Sequence, residues 1–153
     1  PLAGRAPAAL EAPSGVVVLT VSGALRRPNV GGEARFDMAM LEQLPQHEAL
    51  VPTPWYDGAR RFTGPLLRDV LDLAGASGEN LRAAALNNYR VDIPMADLRR
   101  WDVVLARLLD GRPMSVRDKG PLFVMYPFDR HAELRNAVYY SRCIWQLRAI
   151  DVR

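Results

Sequence analysis

Near its C-terminus the chain reads Tyr139-Tyr140-Ser141-Arg142-Cys143-Ile144-Trp145-Gln146-Leu147-Arg148. From residue 145 onward apolar and polar side chains alternate, which predicts a strand. Trp145, Leu147 and Ala149 would lie on one face, and we expect a sheet to hold this strand as its closing element. Ser141 and Arg142 would stand where the chain enters the sheet. An aromatic ring, a hydroxyl and a guanidinium placed together can bind a flat, polar or anionic small molecule. A buried closing strand with a surface arginine is the simpler interpretation.

The composition is typical of one globular domain. The chain has 153 residues, of which 49% are hydrophobic and 24% charged, so it can bury a core. Residues 1–14 are rich in Ala and Pro and lack periodicity, which predicts a flexible N-terminal arm followed by a single domain at 15–153. The longest apolar runs fall well short of the roughly 20 residues that a membrane-spanning helix needs.

The charge balance argues against a nucleic-acid partner. Lys and Arg (20) exceed Asp and Glu (17) by 20 − 17 = 3, and this excess is spread along the chain. It indicates anionic ligands only weakly, because the sequence contains neither a basic run nor an aromatic-basic RNA motif.

Motifs for catalysis and for metal binding are absent from the sequence. Cys143 is the single cysteine, so an internal disulfide is impossible, and His47 and His131 have no ligand-like spacing with it. The chain contains no recognisable Ser-His-Asp pattern and no glycine-rich phosphate loop. We expect Cys143 to point away from Trp145 and to pack as an inert thiol. The sequence therefore predicts no catalytic and no metal-ligating residue.

The pattern predicts mixed α and β elements. Strands are expected at 15–23, 81–86, 91–93, 103–109 and 122–127, and helices at 36–44, 63–75 and 95–100. Asp37 would cap the first helix. Thr63 or Gly64 would cap the second, with Pro65 in its first turn and Gly75 after its end. Asp110-Gly111 is a strong two-residue hairpin signal.

Candidate binding residues stand at the predicted ends of these elements. The segment 51–58 contains two prolines, so it is expected to form an edge strand or a rigid loop that presents Trp55 and Tyr56. An equally good interpretation is that Trp55 covers the core. Three more groups occupy such boundaries, where ligand contacts gather: Asn87-Asn88-Tyr89, Arg117-Asp118-Lys119 and Tyr140-Ser141-Arg142. The asparagines could also serve only as turn residues. Together the groups suit a planar nitrogen heterocycle with a polar or phosphorylated tail.

Three blocks resemble a known family. The block at 62–71, FTGPLLRDVL, resembles the W-x-G-v-p-L-x-d-L-L segment of sulfite-oxidase-type molybdopterin-binding domains. The block at 119–127, KGPLFVMYP, is similar to their G-G-P-L-r-l-v-v-P strand, and 141–150, SRCIWQLRAI, to their v-K-W-L-x-x-I closing strand. The resemblance implies an α+β fold of the sulfite-oxidase type. Its mixed, partly barrel-like sheet would have flanking short helices and a pterin site at the strand ends.

The resemblance also bears on metal chemistry. Catalytic members of the family bind molybdenum through a cysteine in the segment before the W-x-G block. The corresponding segment here, 51–55, reads VPTPW, and Cys143 lies in a different block. The chain is more similar to small, stand-alone, exported bacterial pterin-binding members, so the resemblance implies a pterin cofactor (a reduced pterin or a molybdopterin-like one) without molybdenum.

The resulting hypothesis is a non-catalytic pterin-binding protein. By resemblance it is an exported, periplasmic ligand sensor that modulates a membrane signalling enzyme, such as a cyclic-di-GMP enzyme, through that enzyme's periplasmic domain. The chain starts at Pro1, so we expect a targeting segment to have been removed. One alternative is a molybdopterin-dependent oxidoreductase with an unconventional metal ligand. Another is an interaction domain with a vestigial pocket.

The hypothesis assigns a role to each candidate residue. Trp55 or Tyr56 would stack on the pterin ring, while Asn88 and Tyr89 would read its edge. Asp118 would pair with the guanidine-like edge, because a carboxylate accepts two parallel N–H bonds there. Ser141 and Arg142 would hold the polar tail. The complete predicted site is Trp55, Tyr56, Asn88, Tyr89, Arg117, Asp118, Tyr140, Ser141 and Arg142.

Overall fold

A computed structural model describes residues 10–153. Its strands are β1 (Val17–Gly23), β2 (Ala34–Asp37), β3 (Gln46–Pro52), β4 (Ala59–Pro65), β5 (Asn80–Ala85), β6 (Arg90–Pro94), β7 (Val104–Ala106), β8 (Leu108–Leu109), β9 (Arg112–Pro113), β10 (Phe123–Met125) and β11 (Leu147–Val152). Its helices are α1 (Met38–Glu42), α2 (Leu67–Leu73), α3 (Met95–Arg100) and α4 (Ala137–Arg142). Most of the predicted arm at 1–14 lies outside the described residues. Residues 10–13 have no regular structure, and 14–15 form a bend.

The C-terminal strand β11 lies in the middle of the largest sheet, whose strand order is β2-β1-β11-β5-β6. It runs parallel to β1 and antiparallel to β5. Leu147, Ile150 and Val152 are buried and attach this strand to the core. Because strands flank β11 on both sides, its backbone groups can be paired on both edges. The prediction that the end of the chain is held in a sheet is therefore confirmed.

The segment that leads into this strand is helical, since residues 137–142 form helix α4, which was not predicted. Asn136 caps the helix, and its side chain accepts a hydrogen bond from the backbone N–H of Val138 at 3.0 Å. Tyr139 packs against Trp101, with ring centroids 5.2 Å apart. This capping and packing outweigh the strand preference of neighbouring aromatic and β-branched residues. Ser141 and Arg142 accordingly belong to a helix.

The alternation expected from residue 145 onward is also wrong. Gln146 has a φ of 52°, and the pairing of β11 with β5 shifts register between Leu147 and Ala149. An irregularity of this kind changes which side chains share a face. Trp145 instead makes an isolated bridge to Phe123 of β10. The pairing of Trp145 with β10 and of β11 with β5 therefore breaks the expected alternation, and no local sequence pattern encodes these pairings.

The second predicted helix begins later than expected. Residues 63–65 belong to β4, and α2 starts at Leu67 with Leu66 at its N-cap. A Cβ on Gly64 would meet the carbonyl oxygen of Leu105 at 1.9 Å, so glycine permits close packing of β4 against β7. Gly75 adopts a φ of 65° after the helix, as predicted. Asp37 caps α1 through a 2.9 Å bond from the N–H of Met40, also as predicted.

The remaining strands form smaller sheets. One has the order β3-β4-β8-β9 and the other pairs β10 with β7. The predicted strand at 103–109 is divided between β7 and β8, and the hairpin at Asp110-Gly111 is confirmed, with φ values of 51° and 81°. β3 lies at a sheet edge and ends at Pro52, a position that suits proline. Strands β2 and β4 were not predicted, and β3 begins at Gln46, before the predicted segment 51–58.

The fold is mixed α+β, as predicted, but the sheets within residues 10–153 do not close into a barrel. Each sheet ends in edge strands, so the partly barrel-like expectation is corrected. The largest fully buried side chains include Phe36, Phe62, Phe123, Tyr126 and Phe128. None of the helices among the described residues is long and apolar enough to cross a membrane.

Candidate functional site

A cavity of about 550 Å³ opens between the loop after β3, the turn after β5 and helix α4. Its lining residues are Pro54, Trp55, Ala85, Asn87, Tyr89, Ala137, Tyr140, Ser141, Cys143, Ile144 and Trp145. We call it the aromatic cavity. Its size falls within the range of about 300–1,000 Å³ that is typical of small-molecule sites.

Trp55 is the centre of the aromatic packing at this cavity. Its ring lies 5.6 Å from that of Trp145 and 6.0 Å from that of Tyr140, with interplanar angles of 75° and 89°. It also lies 5.7 Å from Phe123 in the core. Edge-to-face pairs of this kind favour defined ring orientations. Trp55 is therefore held in place from several sides while part of it borders the cavity.

The polar groups of the cavity have complementary hydrogen-bonding capacity. The Asn87 side-chain oxygen accepts from the backbone N–H of Tyr89 at 3.1 Å, which leaves its amide N–H₂ group free to donate. The Ser141 hydroxyl donates to the carbonyl of Val138 at 2.6 Å, so its oxygen retains acceptor capacity. The cavity thus offers one side-chain donor and one side-chain acceptor at its exposed edge.

Cys143 borders the same cavity as Trp145, which corrects the expectation that the two point apart. Its Sγ donates to the carbonyl of Tyr139 at 3.6 Å, and the residue is only 2% exposed. Burial raises the pKa of the thiol to about 12. The side chain therefore stays a protonated thiol at neutral pH, as expected for inert packing.

The structure brings four of the predicted site residues together in the aromatic cavity: Trp55, Tyr89, Tyr140 and Ser141. Asn87 takes the place predicted for Asn88. Asn88 has a φ of 68°, and its side-chain oxygen accepts from Arg148 Nη2 at 3.0 Å. Because the turn requires a left-handed residue at 88, Asn88 serves as a turn residue there.

Arg142 does not line the aromatic cavity. Its Nη1 donates to Asp97 Oδ2 at 2.7 Å, and the Arg142 and Asp97 side chains are only 21% and 9% exposed. The same Asp97 oxygen accepts from the hydroxyl of Tyr126 at 2.7 Å. Burial, followed by this hydrogen bond to a carboxylate, raises the pKa of Tyr126 well above its usual range. The guanidinium predicted to hold a ligand tail instead connects α4 to α3.

Tyr56, Arg117 and Asp118 lie in a second, smaller pocket of about 330 Å³. We call it the cationic pocket; its lining residues are Tyr56, Arg60, Leu109, Arg112, Pro113, Met114, Arg117, Asp118 and Lys119. The predicted pairing of Asp118 with the ring bound by Trp55 is therefore wrong. Asp118 does not line the aromatic cavity, although Lys119 of the same loop reaches toward it, with Nζ 5.4 Å from the ring centre of Trp145.

Trp145, Cys143 and Asn87 line the aromatic cavity and were not among the predicted site residues. A signal for the α4 side was present in the sequence, because Ala137, Tyr140, Ser141 and Ile144 have the i, i+3, i+4, i+7 spacing of one helix face. No helix was predicted for this segment. Asn87 carried no signal that distinguished it from Asn88.

The donors near the aromatic cavity do not fit a molybdenum ion. The segment in which the resembling family carries its cysteine contributes Pro54 to the cavity, and the Cys143 thiol is buried and protonated. Among residues 10–153, no three His, Cys, Asp or Glu side chains are grouped in a way that could hold a metal. The residues do fit a planar heterocycle, for which stacking surfaces and a few directed polar groups suffice.

The fold is similar to that of the sulfane dehydrogenase SoxCD from Paracoccus pantotrophus. The TM-score is 0.63 at 16% sequence identity, and the match covers 88% of this chain and 37% of that protein's chain. The relation is a distant one of fold. Neither a family model nor a curated protein sequence matches this chain.

Proposed function

We propose that this chain is a non-catalytic pterin-binding protein and that the aromatic cavity holds the pterin ring. One observation carries the proposal: a cavity of about 550 Å³ is lined by the rings of Trp55, Tyr89, Tyr140 and Trp145. Stacking between flat rings favours a planar heterocycle over a flexible or spherical ligand. The resemblance of three sequence blocks to pterin-binding domains and the distant fold relation to SoxCD agree with it.

The polar edge of the cavity suits the edge of a pterin. A pterin carries ring N–H and amino donors beside carbonyl and ring-nitrogen acceptors. The Asn87 amide can donate to one of the acceptors, and Ser141 Oγ can accept from one of the donors. The described lining contains no charged side chain, which favours the neutral ring of a pterin over an anionic group.

The state of the thiol supports binding without redox chemistry. A molybdenum ligand of the resembling family is a cysteine thiolate, whereas burial here raises the pKa of Cys143 to about 12. The structure offers no substitute thiolate, because Cys143 is the single cysteine of the chain. We therefore propose that the pterin acts as a ligand and not as the base of a metal centre.

Titration of the ligand-free protein with oxidised and reduced pterins tests the proposal. Because two tryptophans line the cavity, binding should quench their fluorescence and saturate at micromolar concentrations. Tyr89 is 51% exposed, so Tyr89→Ala should leave the fold intact and weaken binding about threefold to tenfold through the lost ring contact.

Tyr56→Leu is the matched control, because Tyr56 is the neighbour of Trp55 but lines the cationic pocket. It should bind pterins as the unchanged protein does. A native protein that shows no saturable quenching with any pterin, or a Tyr89→Ala variant with unaltered affinity, contradicts the proposal.

We further propose, from the family resemblance, that the protein is exported and senses its ligand for a membrane signalling enzyme. The pterin-bound form would then associate with that enzyme's periplasmic domain. Cell fractionation tests the location, and pterin-dependent co-sedimentation with native membranes tests the partnership. Recovery of the protein in the cytoplasmic fraction, or co-sedimentation that does not depend on pterin, contradicts this second proposal. Binding of the pterin ring is tested separately, by the titration.

A further inference from the structure

The cationic pocket concentrates positive charge around one aromatic ring. Arg60, Arg112, Arg117 and Lys119 line it, together with Tyr56 and a single carboxylate, Asp118, in the part of the chain that the structure describes. A net charge of only +3 for the whole chain makes this local excess noteworthy. A concave surface lined by one sign of charge concentrates oppositely charged ligands.

Three of these cations have no carboxylate partner. Among residues 10–153, no carboxylate oxygen lies within 4.0 Å of the charged nitrogens of Arg112, Arg117 or Lys119. Residues 1–9, PLAGRAPAA, contain no Asp or Glu that could supply one. Arg60 is different, because its Nε is paired with Asp110 Oδ2 at 2.5 Å.

Tyr56 and the backbone hold the cations in position. The guanidinium carbon of Arg60 lies 4.8 Å from the centre of the Tyr56 ring, and Lys119 Nζ lies 5.5 Å from the same centre. Lys119 has a φ of 74° and follows a short turn that is closed by Ser115, whose hydroxyl donates to Asp118 at 3.0 Å. This hydrogen bond directs Asp118 toward its own turn and partly satisfies its charge.

From this arrangement we propose that the cationic pocket is a second binding site, for a small, multiply charged anion of the phosphate or polyphosphate type. The two free guanidinium groups offer planar, forked donors that match phosphate oxygens, and the lysine adds a compact charge. A pocket of about 330 Å³ admits such a group but is smaller than the aromatic cavity. The two sites have no lining residue in common, but they adjoin, because Lys119 Nζ lies 5.4 Å from the ring centre of Trp145 in the aromatic cavity.

Isothermal titration calorimetry with inorganic pyrophosphate at low ionic strength tests the site. Citrate serves as the comparison ligand, because it carries carboxylates instead of phosphates. The native protein should bind pyrophosphate saturably, more tightly than citrate, and less tightly as salt screens the charges. Arg112→Ala/Arg117→Ala should lose affinity by about tenfold or more, because two charge-assisted contacts are removed. Both side chains belong to exposed residues, so the variant should fold normally.

The control is Arg99→Ala, which removes a positive charge from an exposed side chain on α3. It should retain pyrophosphate affinity. Equal weakening by both variants, equal affinity for citrate and pyrophosphate, or no saturable binding by the native protein overturns the proposal. Protein saturated with pterin should still bind pyrophosphate, whereas mutually exclusive binding of the two would overturn the assignment of two sites.

Discussion

Arg142 on α4 donates to Asp97 on α3 across 2.7 Å, and the same carboxylate oxygen accepts from Tyr126 on the segment after β10. This contact joins residues 45 positions apart in the sequence. It fixes α4, and α4 carries Tyr140 and Ser141 to the aromatic cavity. The charged pair therefore supports the candidate site without bordering it.

Removing one partner of this pair should be strongly destabilising. Arg142→Ala leaves the Asp97 carboxylate largely buried without its counter-charge, and we expect a loss of about 3 kcal/mol in the free energy of unfolding. Urea denaturation measures it. Arg82→Ala breaks an exposed pair with Asp92 and should cost much less. Equal losses of unfolding free energy in the two variants would show that burial of Asp97 does not increase the cost of removing its partner.

Single substitutions can show that Asn87 and Ser141, and not the turn residue Asn88, contribute hydrogen bonds to a ligand in the aromatic cavity. Asn87→Ala and Ser141→Ala should each weaken pterin binding about threefold to tenfold, because each removes one hydrogen bond to the ring edge. Asn88→Gly should bind normally, since glycine accepts the φ of 68° and Asn88 lies outside the lining. Fluorescence titration distinguishes them. If only Asn88→Gly lost pterin affinity, Asn88 and not Asn87 would be the residue that contacts the ring edge.

Cys143 should be chemically inert in the folded protein. Because burial raises the thiol pKa to about 12, very little thiolate forms at pH 8. We expect iodoacetamide to modify the native protein at least about 100-fold more slowly than the urea-unfolded chain. Mass spectrometry follows the reaction. Similar rates in the two states would show that the thiol is accessible and would reopen a chemical role for it.

Asp37 should make the stability depend on acid pH. The N–H groups of Met40 and Gly15 donate to its carboxylate and hold its pKa below the usual value of 3.8. Since the folded pKa lies below the unfolded one, the stabilisation is present above about pH 4 and is lost as the pH falls through the folded pKa.

The stability advantage over Asp37→Asn should therefore shrink on acidification from about pH 5 to pH 3. Urea denaturation across this interval measures it, and Asp57→Asn, at an exposed loop position, is the control. An advantage that is constant with pH would mean that the carboxylate charge does not contribute.

Thr53 should be replaceable with a gain in stability. Its Oγ1 is buried and, among the described residues, has no hydrogen-bond partner. Thr53→Val keeps the branched shape and removes this unsatisfied hydroxyl, so we expect a gain of about 1 kcal/mol. Thr53→Ser keeps the hydroxyl and should show no gain. Thermal unfolding compares the variants, and a destabilised Thr53→Val would reveal a partner for the hydroxyl.

Much of the secondary structure was accessible from local sequence. Asp37 before a helix, Gly75 after one and Asp110-Gly111 at a hairpin act through their own backbone, and the structure confirms all three. Helix α4 was not predicted, because Tyr139 and Tyr140 favour strands locally. Their packing against Trp101, which follows α3, and against Phe128, which follows β10, decided in favour of a helix.

The candidate site was accessible only in part. Sequence alone identified Trp55, Tyr89, Tyr140 and Ser141 as candidate binding groups at predicted element boundaries, because prolines, asparagines and turns mark such positions locally. It did not predict that the candidates lie in two different pockets. It also did not predict that Asn87 rather than Asn88 lines the aromatic cavity, or that Arg142 lies outside that cavity.

Those outcomes depend on which distant segments meet. The sequence by itself determined an α+β chain with aromatic and polar groups at the ends of its elements, since propensities, caps and turns are local properties. Only the tertiary structure decided that α4, the segment around Trp55 and the turn after β5 enclose one cavity. The bond between Arg142 and Asp97 and the central place of β11 join residues far apart in the chain, and no local pattern encodes them.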